Sequence, residues 1–180
     1  MHEATTGMRS VYDGRVVRLD VLDVRLEDGS PAKREIVRHA PAVAVLPRLP
    51  DGTFLLVRQF RKAMEADVVE LCAGLNDPGE APEVAARREL REETGCTAER
   101  MTHLGTVYAS PGYTDEVIDL YYAECAAPRA EADLDEDERV EVVPLREAEL
   151  EAMVRDNRIR DGKTVAAWAL YRLRVGAHGD

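Results

Sequence analysis

The chain is expected to be an α+β or α/β protein with a mixed sheet. Short apolar runs alternate with Asp-Gly turns over the first sixty residues, and strand-like and helix-like segments interleave from there on. A length of 180 residues allows one domain with a substantial core. Apolar residues at 45% and charged residues at 33% place it among globular rather than disordered chains.

Residues 21–27 and 33–38 flank Asp28-Gly29, and residues 42–46 and 53–60 flank Asp51-Gly52, the pattern of two hairpins. Further strands are expected at 68–71, 104–108, 117–123 and 140–144. A helix is expected over 82–94, because Pro82 suits a first turn and Gly95 the left-handed position after the last. Its apolar stripe is poor, since Val84 lies off the side carrying Ala86 and Leu90, so packing alone does not account for it. Two more helices are expected, at 146–157 and 163–175, the second with Val165, Trp168, Ala169 and Leu173 on one side.

A formal charge of −11 argues against nucleic-acid binding, which relies on basic surface. No apolar run approaches the ~20 residues needed to cross a bilayer, so no membrane is expected. The opening MHEATTGMRS lacks the basic-then-apolar pattern of a secretory leader. Cys72, Cys96 and Cys125 are odd in number and have no metal-ligand spacing. Reduced thiols in a cytoplasmic protein account for them.

The segment from Gly74 to Cys96 carries the most information. On a helix, Glu89, Glu92 and Glu93 lie three and four residues apart and share a face. Like charges so placed repel, and a hard divalent cation with oxygen ligands, Mg²⁺ or Mn²⁺, would relieve them. The bland alternative is a solvated helix with weak Glu–Arg surface pairs.

Gly74, Glu80, Arg88, Glu89, Leu90, Glu92, Glu93 and Gly95 fall into the pattern Gly-x5-Glu-x7-Arg-Glu-U-x-Glu-Glu-x-Gly-U, where U is bulky and aliphatic. The segment thus resembles the signature of the Nudix hydrolases. It departs only at the last position, where Cys96 stands for an aliphatic residue and can pack as a small hydrophobe. The resemblance implies an α/β/α sandwich with a mixed sheet over residues 40–180. Residues 1–39 would then be a strand-rich extension, exchanged between subunits of a homodimer.

It also implies a metal set of Glu89, Glu93, Glu92 and the Ala73 carbonyl, with Glu80 completing the shell or holding the loop. Arg88 would orient a neighbouring carboxylate, and Glu92 and Arg88 belong to the catalytic set. Arg58-Gln59-Phe60-Arg61 ends a strand, and arginine offers a planar fork suited to phosphate. By resemblance to ADP-ribose pyrophosphatases, Arg61 would meet the diphosphate, with Arg58 a second candidate. Taken without the box, an arginine at a sheet edge pairs with surface acid.

Ala109-Ser-Pro111-Gly112-Tyr-Thr-Asp-Glu116 places a proline fifteen residues after Cys96. This resembles the ADP-ribose-hydrolysing branch, with Pro111 and Gly112 shaping the pocket wall and Glu116 near the metals or ribose. By itself Pro-Gly is a turn. Glu70-Leu-Cys-Ala-Gly74 looks more like UDP-sugar pyrophosphatases, which puts Glu70 among the substrate-binding candidates and Cys72 in the core. The run 133–138 holds five carboxylates in six positions, usually a solvated loop. In the family a glutamate on this loop removes the proton of the attacking water, and both Glu136 and Glu138 fit.

Phe60, Tyr113 and Tyr12 are candidate base-stacking aromatics, although buried packing is the expectation for each. His39 and His103 have no ligand spacing. The sequence thus points to metal-dependent hydrolysis of a nucleoside diphosphate sugar, with ADP-ribose first and UDP-glucose or GDP-mannose as alternatives. A non-catalytic ADP-ribose sensor and a housecleaning triphosphatase remain as rivals.

Overall fold

The computed structural model describes residues 2–126 and 139–176, and these fall into two compact units. The first takes residues 1–41 and 108–117. Strands β1 (Ala4–Asp13), β2 (Val17–Arg25) and β3 (Pro31–His39) form an antiparallel sheet in that order. The Asp28-Gly29 turn has three loop residues: Leu26 N–H donates to Ser30 O, and Gly29 takes φ +82°. Strand β1 was not expected. Its sequence alternates poorly, and its pairing with β2, interrupted by two register shifts, is what makes it a strand.

Within this unit the segment 110–116 docks on β3. Val37 N–H donates to Tyr113 O at 2.7 Å, and Asp115 N–H to Val37 O at 3.2 Å. Arg38 lies between Asp20, whose side chain is buried, and Asp115, at 3.1 and 2.9 Å. Burial pushes the Asp20 pKa up, but hydrogen bonds from Arg38 and Arg18 hold it below its ordinary value.

The second unit is a three-layer sandwich. Among the described residues its sheet has seven strands: β4 (Ala42–Arg48), β5 (Phe54–Arg61), β6 (Ala66–Glu70), β7 (Cys72–Leu75), β8 (Ala98–Tyr108), β9 (Val117–Cys125) and β10 (Val140–Leu145). The order is β10-β5-β4-β9-β8, with β4 and β9 parallel and β5 antiparallel to β10. Helices α1 (Pro82–Thr94), α2 (Glu147–Arg155) and α3 (Gly162–Arg174) cover it.

Alternation along the strands divides the core. Ala44, Leu46, Phe54, Leu56, Leu120 and Tyr122 pack with Leu150 of α2 and with Ala167, Trp168 and Tyr171 of α3. Val43, Val45, Leu55, Val57, Tyr121 and Ala123 pack with Ala85, Ala86 and Leu90 of α1. A strand buried on both faces reads as an unbroken apolar run, as β4 does.

The sheet is interrupted between β6 and β7. Strand β6 pairs with β5 and β7 with β4, so the chain changes partner at Leu71. The Leu71 N–H leaves the ladder and donates to Thr164 Oγ1 of α3 at 2.9 Å.

Helix α1 has the expected ends, with Pro82 in its first turn and Gly95 at φ +68° donating to Arg91 O. Helix α3 differs from expectation. Its buried face is Thr164, Ala167, Trp168 and Tyr171, while Leu173 is 74% exposed. The stripe turns on the hydroxyl of Thr164 and the ring of Tyr171, which an apolar count does not register. Phe60, Tyr113 and Tyr12 are each more than half exposed, correcting the expectation of buried packing. Each sits at a strand end or in a turn, beyond the covering layers. No described helix is long and apolar enough to cross a membrane.

Candidate active site

Helix α1 lays its carboxylates beside β7. A Cβ on Gly74 would lie 2.1 Å from Glu89 Oε1 and 2.4 Å from Oε2. The Glu89 carboxylate therefore occupies the space that any other residue at position 74 would fill. One turn on, Glu93 is 3% exposed and accepts from Ala73 N–H at 3.3 Å. Ala73, Gly74, Glu89 and Glu93 are thus brought together by strand and helix packing.

Arg88 gathers the rest. Its Nη1 donates to Glu89 Oε1 at 2.6 Å and to Glu92 Oε2 at 3.1 Å. Its Nε and Nη2 fork onto Glu80 at 3.2 and 3.1 Å, and Nη2 also reaches Leu75 O at 3.0 Å. Hydrogen bonding to Glu80 leads in holding the Arg88 pKa above its ordinary value, against the opposing effect of burial. The same bond leads in lowering that of Glu80. Glu80 also accepts from Asp77 N–H at 3.1 Å, which closes the loop. One guanidinium therefore serves three box carboxylates.

A second charged group lies at the end of β6. Glu70 is 2% exposed, and a buried carboxylate has to be paired. Arg61 grips it side-on, Nε to Oε1 at 2.7 Å and Nη2 to Oε2 at 3.0 Å. Lys163 Nζ donates to the same Oε2 and lies 3.1 Å from Asp161 Oδ1. Burial pushes the Glu70 pKa up, but the Arg61 hydrogen bond and the Lys163 charge bring it below its ordinary value. Glu70 was expected to touch substrate. Both its oxygens are taken up by Arg61 and Lys163.

Arg58 pairs across the sheet with Glu141 of β10 at 3.1 Å and is not drawn into either group. Pro111, Gly112 and Glu116 belong to the other compact unit. There Pro111 and Gly112 are exposed, and Glu116 Oε1 lies 3.6 Å from His39 Nδ1. Glu136 and Glu138 lie outside the described residues. Cys72 is buried in the core with Cys96 and Cys125, and burial raises its thiol pKa well above the ordinary value.

Lys163, Asp161 and Thr164 escaped the sequence reading. One signal was available: Lys163 stands in the first turn of α3, where the helix dipole disfavours a cation, and that turn has no acidic residue. A cation in an unfavourable place implies a partner elsewhere.

The donor set is all oxygen, as hard divalent cations prefer. The Gly74 cradle lets a carboxylate approach the backbone of β7. Among the described residues no three His, Cys, Asp or Glu side chains converge closely enough to hold an ion as they stand; Arg88 and the Ala73 N–H engage these carboxylates instead.

The model of the NUDIX domain family matches residues 38–166. The ADP-ribose pyrophosphatase of Bacillus subtilis (strain 168) is 40% identical over 176 residues, covering 97% of this chain and 94% of that protein. The methanol dehydrogenase activator of Bacillus methanolicus is 43% identical over 173 residues, 96% of this chain and 94% of that one. A crystal structure of an ADP compounds hydrolase matches with a TM-score of 0.88 at 25% identity, covering 99% and 97% of the two chains.

Proposed function

Because this chain belongs to the Nudix family of hydrolases, we propose that it cleaves the diphosphate of a nucleoside diphosphate sugar, converting ADP-ribose to AMP and ribose 5-phosphate. The observation that carries this reading is the set of box carboxylates held against Ala73 and Gly74. The 40% identity to an ADP-ribose pyrophosphatase over nearly the whole chain supports the substrate.

Hydrolysis adds water across a P–O bond, so the charge on the diphosphate must be offset and the attacking water must lose a proton. Glu89, Glu93, Glu92 and the Ala73 carbonyl would hold a divalent cation, Mg²⁺ or Mn²⁺, which would supply charge neutralisation and a more acidic water. Arg88 keeps Glu80, Glu89 and Glu92 in place. Arg61 offers its guanidinium to the diphosphate, because its grip on Glu70 uses Nε and Nη2 and leaves Nη1 outside the fork. Glu136 or Glu138 takes the proton. Arg58, Pro111, Gly112 and Glu116 are further substrate-binding candidates on the strength of the family resemblance alone.

The chain works as a cytoplasmic homodimer through residues 1–39, with residues 40–180 as the hydrolase domain, and engages neither nucleic acid nor membrane. Exposed Met8, Val11, Tyr12 and Val16 support the dimer, and the −11 charge supports the absence of nucleic acid. The test is product formation with Mg²⁺ from ADP-ribose, UDP-glucose, GDP-mannose and a nucleoside triphosphate, each with a chelator control. ADP-ribose is expected to lead by at least about tenfold in kcat/KM, the lower end of the discrimination that one small group in a pocket gives. A UDP- or GDP-sugar in first place replaces the substrate, and no turnover of any compound removes the hydrolase reading.

A further inference from the structure

We propose that Lys163, acting through Glu70, is a positioning residue that keeps the charge of Arg61 available to an anionic substrate. The inference rests on the reading of Arg61 as a diphosphate contact.

Four charges alternate along one line: Asp161, Lys163, Glu70 and Arg61. Lys163 and Arg61 share Glu70 Oε2. With both cations present the negative charge of Glu70 is divided between them, and the guanidinium keeps attraction to spare. Without Lys163, Glu70 and Asp161 become two carboxylates answered by a single guanidinium. Arg61 is then drawn toward Glu70 alone, and less of its charge is left for a diphosphate.

Lys163 is badly placed to touch the substrate itself. Its side chain is 12% exposed, against 44% for Arg61, and its ammonium is committed to Glu70 and Asp161. The turn that carries it is anchored independently. Asp161 caps α3 by accepting from Thr164 N–H at 3.0 Å and from the Thr164 hydroxyl at 2.5 Å. The same hydroxyl accepts from Leu71 N–H, at the point where β6 gives way to β7. The first turn of α3 therefore sets both the backbone beside Glu70 and the charge against it. This gives a reason for a lysine where the helix dipole opposes one.

The experiment is steady-state kinetics of Lys163→Met and Lys163→Arg on ADP-ribose, in the wild type and in an Arg61→Ala background. A contact made equally in ground and transition states appears in KM. Lys163→Met is expected to raise KM about tenfold, the scale of losing one charge-assisted contact, with kcat little changed. Lys163→Arg is expected to restore most of it. In the Arg61→Ala background Lys163→Met is expected to add nothing, since its effect passes through Arg61.

An unmoved KM in Lys163→Met, or an arginine variant as impaired as the methionine one, overturns the proposal. So do effects that simply add in the double variant, which would place Lys163 on the substrate. Lys163→Gln carries the same KM prediction should the methionine variant not fold. The wild-type assay separates the two readings: no turnover removes the hydrolase reading and this inference with it, whereas turnover with KM unmoved removes only the role of Lys163.

Discussion

The carboxylate of Glu89 fills the space where a side chain at Gly74 would begin, with Oε1 2.1 Å from the position of a Cβ. The glycine that opens the box is therefore required by the glutamate fifteen residues later and not by its own backbone angle. Gly74→Ala should push the Glu89 carboxylate off β7 while leaving α1 formed. Because a displacement of about 1 Å at a reacting centre can cost ~10²-fold in rate, kcat is expected to fall by about that factor with far-UV CD unchanged. Wild-type kcat in this variant would show that the Glu89 position is irrelevant to turnover.

Glu93→Gln keeps the shape of a buried side chain that accepts from Ala73 N–H and removes its charge. Activity should drop by about 10³-fold, the scale of deleting a preorganised electrostatic group, with CD again unchanged. Retained activity would sink the assignment of Glu93 to the metal set.

Acid stability should report on Glu70. Its folded pKa lies below its ordinary 4.5, since Arg61 and Lys163 outweigh burial. A carboxylate with a depressed folded pKa adds stability that is complete above the unfolded value and is lost as pH falls through the folded one. The wild-type melting temperature should therefore fall below about pH 4.5. Glu70→Gln should melt lower at neutral pH and show a shallower fall in acid. Parallel profiles in a calorimetric series would remove Glu70 as a source of the acid sensitivity.

Residues 1–39 present Met8, Val11 and Tyr12 of β1, together with Val16, to solvent. Deleting them should convert a dimer to a smaller species with loss of activity, as read by light scattering coupled to size exclusion. A soluble, active monomer after truncation would falsify the role given to the extension.

Much of the site was legible because its chemistry is local. The spacing from Glu89 to Glu93 is a helical one, and Pro82 and Gly95 mark both ends of α1 by backbone rules that operate within a few residues. The two-sided core was not read from the sequence: residues 42–46 were expected only as one arm of a hairpin, and it is the packing of α1 on one face and of α2 and α3 on the other that buries β4 on both sides. The buried face of α3 was misjudged because Thr164 and Tyr171 bury by hydrogen bonding and ring packing. Strand β1 was missed because its partner, not its own pattern, makes it a strand.

The sequence by itself determined the box, the helix that carries it and the family, since each is written in residues close together along the chain. Only the tertiary structure decided what faces Glu70. Lys163 lies 93 residues away, and nothing in either segment names the other. A buried carboxylate must find counter-charge wherever the fold brings one. Here the packing of α3 on the β6–β7 break brings it.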